Sequence, residues 1–325
     1  MVLGIDISKA SFDVVLLADE QSKGIHKIFS NTPRGFKELR AWLVKQGAKQ
    51  LHACLESTGS YGVPLAEFLV AEGHRVSIVN PRRIKHYAKS RLSRNKTDKQ
   101  DAFVIARFCL KEQPEPWLPL APEVKQLQAL VRRLEDLKDL KQQEENRLEA
   151  TLNSAVQDSV ESMIAYLNEQ IKAIEAAIDD HIDRHPSLKR DAELLQSIPG
   201  IGRITAQKLL AEIAFANFGS ARELAAFVGL TPKQNLSGTS LKGRGRLSKI
   251  GSCELRKALY FPAVNARRFN PVIQAFCKNL LDKGKPMMVV VCAAMRKLLH
   301  LAFGVIKSGR PFDVAHLTHT SSLAA

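Results

Sequence analysis

The chain has few of the residues that would staple or anchor it. Five cysteines, at 54, 109, 253, 277 and 292, form no CxxC pair. That spacing excludes a disulfide framework and a zinc site, and predicts reduced thiols in a cytoplasmic protein. Aromatic residues make up 6% of the sequence, too few for a surface that holds nucleic acid mainly by stacking bases. Long apolar runs are missing too: the longest, "MMVVVCAAM" at 287–295, is closed by Arg296 and Lys297. No bilayer-spanning helix, and no membrane partner, is expected from it. The N-terminal "MVLGIDISKASFDVV" does not have the basic, apolar and small-residue succession of a signal peptide. Acid is scarce against base, 33 Asp and Glu to 48 Lys and Arg, a formal charge of +15. With 45% hydrophobic residues over 325 positions, the chain can bury two or three domain cores and calls for a polyanionic partner, nucleic acid first.

The first segment alternates strand and helix patterns. "VLGIDIS" and "FDVVLLA" read as a hairpin around "KAS", "LHACLES" as a third strand, "VPLAEFLVAEG" as a helix and "RVSIVNP" as a fourth strand ended by Pro81. This order implies an α/β domain with a mixed sheet over residues 1–118, closed by the four prolines of "QPEPWLPLAP". From 119 to 186 the spacing becomes that of a coiled-coil hairpin. Leu127, Leu130, Leu134, Leu137 and Leu148 form one seam, Leu167, Ile171, Ile174, Ile178 and Ile182 a second, and "NSAVQDS" is the expected turn. Its acids, Glu144, Glu145, Asp179, Asp180 and Asp183, argue against its lying along phosphates; spacer and dimerisation element both fit. Residues 187–310 read as a mainly helical C-terminal domain, and 311–325 as a frayed tail.

Four acids stand where an acid is locally odd. Asp6 lies inside a strand, in "GIDIS", and Glu56 closes the strand "HACLE" where loops gather. Asp98 and Asp101, in "RNKTDKQDAFVIARFC", share one face at the head of an apolar helix, where like charges repel by a few tenths of a kcal/mol. They serve either as favourable charges at the positive end of a helix or as joint ligands of a divalent cation. Oxygen-only ligation by all four favours Mg²⁺ or Mn²⁺.

Around them Arg82, Arg83, Lys85, Lys89, Arg91, Arg94, Lys96 and Lys99 form a basic run, a solvated surface or a grip on a nucleic-acid backbone. Further on, "LLQSIPGIGRITAQKLLAEI" has the form of a helix-hairpin-helix. Gly200 and Gly202 there either allow close approach of a phosphate to helix amides or merely join packed helices. The stretch "LTPKQNLSGTSLKGRGRLSKIGSCELRKALY" carries Lys233, Lys242, Arg244, Arg246, Lys249, Arg256 and Lys257 against the single acid Glu254. Such a glycine-rich basic loop permits intimate phosphate contact. Its hydroxyls at Ser237, Thr239, Ser240 and Ser248 serve as caps unless one is activated as a nucleophile.

Taken in order, "GIDISK", "LESTGSYG", "RNKTDKQDA", "SIPGIG", "AAFVGLTP", "SGTSLKGRGRLSKIG" and "LRKALY" resemble the insertion-sequence transposases of the IS-one-ten family, bridge-RNA-guided recombinases. In these a DEDD RuvC-like domain of RNase H fold precedes a serine-bearing C-terminal domain. The resemblance runs through about residues 1–310. It implies that Asp6, Glu56, Asp98 and Asp101 bind metal and that Ser237 is the nucleophile of a covalent serine–DNA intermediate. It implies donor and target DNA and a structured bridge RNA as partners. It also implies a homo-oligomer, a dimer or a dimer of dimers on DNA, with an active site shared between subunits, at the prokaryotic nucleoid. Two other readings of the residues stand beside it: a junction nuclease using metal and water, and a DNA-binding protein without catalysis.

Overall fold

The computed structural model describes residues 1–57, 59, 61–90, 97–233, 236–237, 241–242, 246–248 and 250–314, with 236–237, 241–242 and 246 by backbone alone. The chain divides into two compact units, Met1–Pro119 and Leu120–Ala325.

In the first unit, β1 (Val2–Ile7), β2 (Ser11–Leu17) and β3 (Ile25–Ser30) form an antiparallel meander. Helix α1 (Pro33–Lys45) carries the chain over to β4 (His52–Glu56), parallel to β1, and α2 (Val63–Ala71) to β5 (Arg75–Val79), parallel to β4. The sheet order is β3-β2-β1-β4-β5, and α3 (Pro81–Ser90) and α4 (Asp98–Glu112) follow. The sequence reading missed β3 and α1. β3 is an edge strand with Phe29 as its one buried residue, so it does not show the apolar alternation that marks the others.

Alternation along the strands sorts side chains to two buried faces. Leu3, Ile5, Phe12, Val14, Leu16, Ala53 and Leu55 pack with Phe36, Leu39, Trp42 and Leu43 of α1 and Leu65 and Leu69 of α2. Val2, Val15, Leu17, Cys54 and Val79 pack with Ala102, Ile105, Ala106, Phe108 and Cys109 of α4. Gly4 lies under α4, where a Cβ would run into the Ala102 carbonyl and the Ala106 amide. The proline-rich stretch after α4 runs beside β5: the Trp117 amide donates to the Val76 carbonyl at 2.7 Å, and Ser77 Oγ to the Glu115 carbonyl at 2.7 Å.

In the second unit, α5 (Pro122–Ala150) and α6 (Ser154–Arg184) form a helical hairpin in which Leu127, Val131, Leu134 and Leu137 face Leu167, Ile171, Ile178 and Ile182. Its turn is tighter than the sequence suggested. Asn153 caps α6, accepting from the amides of Ala155 and Val156, so "SAVQDS" is the first turns of that helix. Then come α7 (Pro186–Gln196), α8 (Arg203–Glu212), a single 3-10 turn (Phe215–Asn217) and α9 (Ala221–Val228). The short strands β6 (Pro232–Lys233), β7 (Leu236–Ser237), β8 (Leu241–Lys242) and β9 (Arg246–Leu247) pair as β6 with β9 and β7 with β8. Helices α10 (Cys253–Phe269), α11 (Pro271–Asp282) and α12 (Met287–Ser308) complete the unit.

By length and mean hydropathy, 1.8, α12 would span a bilayer, which the sequence reading excluded because it stopped the apolar run at Arg296. The helix continues past both cations. Half of it is buried inside the unit, with Val291, Ala294, Met295, Leu298, Leu299 and Ala302 in the core and α9, α10 and α11 packed around it. Burial in the core accounts for its apolar composition.

The seat of α4 on β1 depends on Gly4 having no side chain. Gly4→Ala is expected to lower stability by about 3 kcal/mol, the scale of backbone-displacing overpacking, measured by urea unfolding. An unchanged midpoint would show that α4 does not bear on Gly4.

Candidate active site and nucleic-acid interface

The alternation that buries Val2 and Gly4 under α4 also carries Asp6 to that face, and the parity that buries Cys54 there carries Glu56. Ile5 pairs with Leu55 in the parallel register, so Asp6 and Glu56 come next in step at the same strand ends. Helix α4 begins nearby: Thr97 caps it, accepting from the Gln100 amide at 3.2 Å, and Asp98 and Asp101 occupy its first turn. The Asp6 carboxyl is pushed up to about 6, first by burial and then by the negative fields of Asp101, Asp98 and Asp13. The structure thus brings Asp6, Asp98 and Asp101 within electrostatic reach of one another and sets Glu56 beside Asp6 by register.

Asp13 was missed from sequence. It is buried opposite Asp6 in the β1–β2 pair and hydrogen-bonded to His26 Nε2 at 2.6 Å. The signal was present, since Asp13 breaks an apolar strand as Asp6 does.

Among the described residues, no three acid, imidazole or thiol groups are gathered tightly enough to hold an ion as they stand. The chemistry of the set nevertheless fits a hard divalent cation: every donor is a carboxylate oxygen, and such a cation would oppose the neighbouring acid fields that add to burial in raising Asp6.

The basic run divides. On α3, Ile84 is buried while Arg82, Arg83, Lys85 and Lys89 are exposed, and the Arg83 guanidinium lies 5.3 Å from the centre of the Phe108 ring. Arg82, Lys85 and Lys89, spaced 3 and 4 apart, form the outward stripe. Arg91, Arg94 and Lys96 lie outside the described residues.

The two turn glycines before α8 have different roles. Gly200 has φ +109, and a Cβ there would lie 2.6 Å from Ala266 Cβ and 3.0 Å from the Pro262 carbonyl, so its close approach is to α10. Gly202 caps α8 without a side-chain partner, and nothing lies within 4 Å of a Cβ built on it, so this helix start is open.

In the basic loop, the Ser237 backbone pairs with Leu241, Lys242 with Leu236, and Arg246 with Lys233. Arg244 and Lys249 lie outside the described residues. Arg256 is not a free phosphate contact: one guanidinium nitrogen donates to the Val228 and Gly251 carbonyls, both at 3.0 Å. It holds together the two strands of chain at the neck of the loop. Gly251 lies so close to Phe227 and Gly229 that no side chain would fit.

Residues 3–157 match a transposase family of DEDD type from IS110 elements, and residues 192–278 match the family described as "Transposase IS116/IS110/IS902 family". The pilin gene-inverting protein of Moraxella bovis is 38% identical over 96% of this chain and 97% of its own, and that of Moraxella lacunata 37% identical over the same shares. The transposase of insertion sequence element IS1111A from Coxiella burnetii is 24% identical over 79% of this chain and 75% of its own. The chain belongs to the IS110 family of transposases, and its class of activity is DNA recombination.

A raised acid destabilises the folded state at neutral pH. The folded carboxyl binds a proton more tightly than the unfolded one, whose pKa is near 3.8, so stability falls as pH rises from about 4 through about 6 and stays lowered above it. Asp6→Asn should therefore raise stability at pH 8 by about 1 kcal/mol, after discounting for partial exposure, and bring little gain at pH 4. Thermal melts of both proteins across pH, with and without Mg²⁺, check this: Mg²⁺ should stabilise the native protein and not Asp6→Asn. An equal gain at pH 4 and pH 8 would refute the assignment.

Proposed function

We propose that this transposase cuts and rejoins DNA through a covalent Ser237–DNA linkage, at a site where Asp6, Glu56, Asp98 and Asp101 hold Mg²⁺ or Mn²⁺. The observation that carries the reading is geometric: Asp6 and Glu56 stand in step at neighbouring strand ends, and α4, packed on β1 at Gly4, begins with Asp98 and Asp101. In this reading the first unit is an RNase H-like, RuvC-like domain, supported by its mixed sheet, its strand-borne Asp6 and the acidic start of α4. The α7–α8 pair acts as a helix-hairpin-helix, supported by the open start of α8 at Gly202.

When bound, the metal supplies charge stabilisation for the phosphodiester transition state and acidifies the attacking hydroxyl. Ser237 Oγ loses its proton and forms a bond to phosphorus as one strand P–O bond breaks, and the leaving oxygen takes up a proton. Attack by a new strand terminus on the serine phosphodiester reverses the exchange and restores the hydroxyl. Lys242, Arg244, Arg246 and Lys249 hold the backbone beside the serine, and Arg82, Lys85, Arg91, Arg94 and Lys96 hold it beside the acids. The full-length relatives named for inverting a pilin gene favour rejoining over hydrolysis, which would leave a break.

A structured guide RNA chooses donor and target sites, in keeping with a basic surface that grips backbones and with an aromatic content of 6%. The α5–α6 hairpin, acting as a coiled coil, pairs subunits into a dimer or a dimer of dimers, and the protein works at the prokaryotic nucleoid.

Incubation with labelled DNA, Mg²⁺ and co-purified RNA should give a serine-linked adduct mapping to Ser237. Ser237→Ala should abolish the adduct while sparing RNA binding, and Asp101→Asn should lower strand exchange by at least about 100-fold. Cleavage that survives Ser237→Ala but not Asp6→Asn would instead support a metal-and-water nuclease.

A further inference from the structure

Helix α12 has a second face that its core role does not explain. Opposite the buried residues, Lys297, His300, Gly304 and Lys307 follow one another at spacings of 3, 4 and 3, which aligns them on one side, with Arg296 adjoining. Arg296 Nε lies 3.5 Å from His300 Nε2, with the imidazole nitrogen as acceptor. Burial and the fields of Arg296, Lys297 and Arg222 hold His300 below its ordinary range. Arg222 belongs to α9, which packs against α12.

Arg296 and Lys297 are half-buried, and among the described residues neither they nor Arg222 enters an ion pair. Three cations gathered around one imidazole repel each other unless an anion joins them.

Gly304 is the independent observation. It sits inside an exposed helical turn, where glycine is less stable than alanine, and nothing lies within 4 Å of a Cβ built there. Packing does not require it. Its bare backbone lets a ligand approach between His300 and Lys307.

We propose that Arg222, Arg296, Lys297 and His300 form a phosphodiester-binding site, continued past Gly304 to Lys307 as a track for a nucleic-acid backbone. The track is about 15 Å long, ten residues at helical rise, or roughly four nucleotide steps of a duplex strand. It depends on the function proposed above only for the identity of the polyanion, and it lies on residues that reading does not use. The phosphodiester belongs either to the DNA substrate or to the guide RNA.

Binding of a 30-base-pair DNA duplex and of the co-purified RNA is measured from 50 to 300 mM salt for the full chain. Arg296→Gln with Lys297→Gln should weaken one of the two by about tenfold and reduce its salt slope by about 2. Lys49→Gln with Lys172→Gln, which removes equal charge elsewhere, should not. Gly304→Ala tests the track without threatening the fold: it should raise Tm and still weaken the same nucleic acid several-fold. Weakening confined to DNA assigns the track to the substrate, and weakening confined to RNA assigns it to the guide. Native binding with both the Arg296→Gln/Lys297→Gln and the Gly304→Ala variants equal to the charge control would overturn the site. Failure of the native chain to bind either nucleic acid would overturn the function proposed above instead.

Discussion

The contact between Gly4 and α4 is the constraint on which the candidate site depends. A side chain at position 4 would displace the Ala102 carbonyl and the Ala106 amide, and with them the start of the helix that bears Asp98 and Asp101. The apolar part of α4 does the holding: Ala102, Ile105, Ala106 and Cys109 are all fully buried. Cys109 Sγ donates to the His52 carbonyl at 3.5 Å, and Cys54, whose thiol is pushed up by Cys109 and by burial, lies two residues before Glu56. Attraction along one half of the helix thereby offsets repulsion among the acids at its other end.

Charge is handled differently in the two parts of the second unit. The hairpin acids find partners close by: Glu144 with Arg147, Glu145 with Lys141, Glu175 with Lys138, Asp180 with Arg184 and Asp183 with Lys189. Asp179 takes Arg203 and Gln207. Exposed pairs of this kind contribute little stability, but they cancel field. The positive excess of the chain is therefore left to other surfaces, among them α3 and the outward face of α12.

Legibility from sequence followed burial. β1, β2, β4 and β5 could be read because each is an apolar run bounded by turn residues, and both hairpin seams because Leu and Ile recur at heptad spacing. β3 could not, since an edge strand with one buried residue has no period to detect. Asp6, Asp98 and Asp101 were legible as acids out of place, but the pairing that adds Asp13 is a property of register, which no single strand displays. The protein contacts of Gly200 and Arg256 were not legible either. Each is explained by a backbone distant in sequence, α10 for Gly200 and the loop neck for Arg256, and residue type alone does not distinguish a protein backbone from a phosphate.

What the fold leaves unresolved is informative in sign. In the first unit the fields of Asp101, Asp98 and Asp13 raise Asp6; in the second, those of Arg222, Arg296 and Lys297 lower His300. A sequence selected for stability alone would relax both, because substituting one neutral residue in either place removes the repulsion. The two imbalances are opposite, so one kind of partner answers both. A nucleic-acid backbone accompanied by divalent ions would bring phosphates to the cations of α12 and cations to the carboxylates around Asp6. The proposed chemistry calls for that same combination.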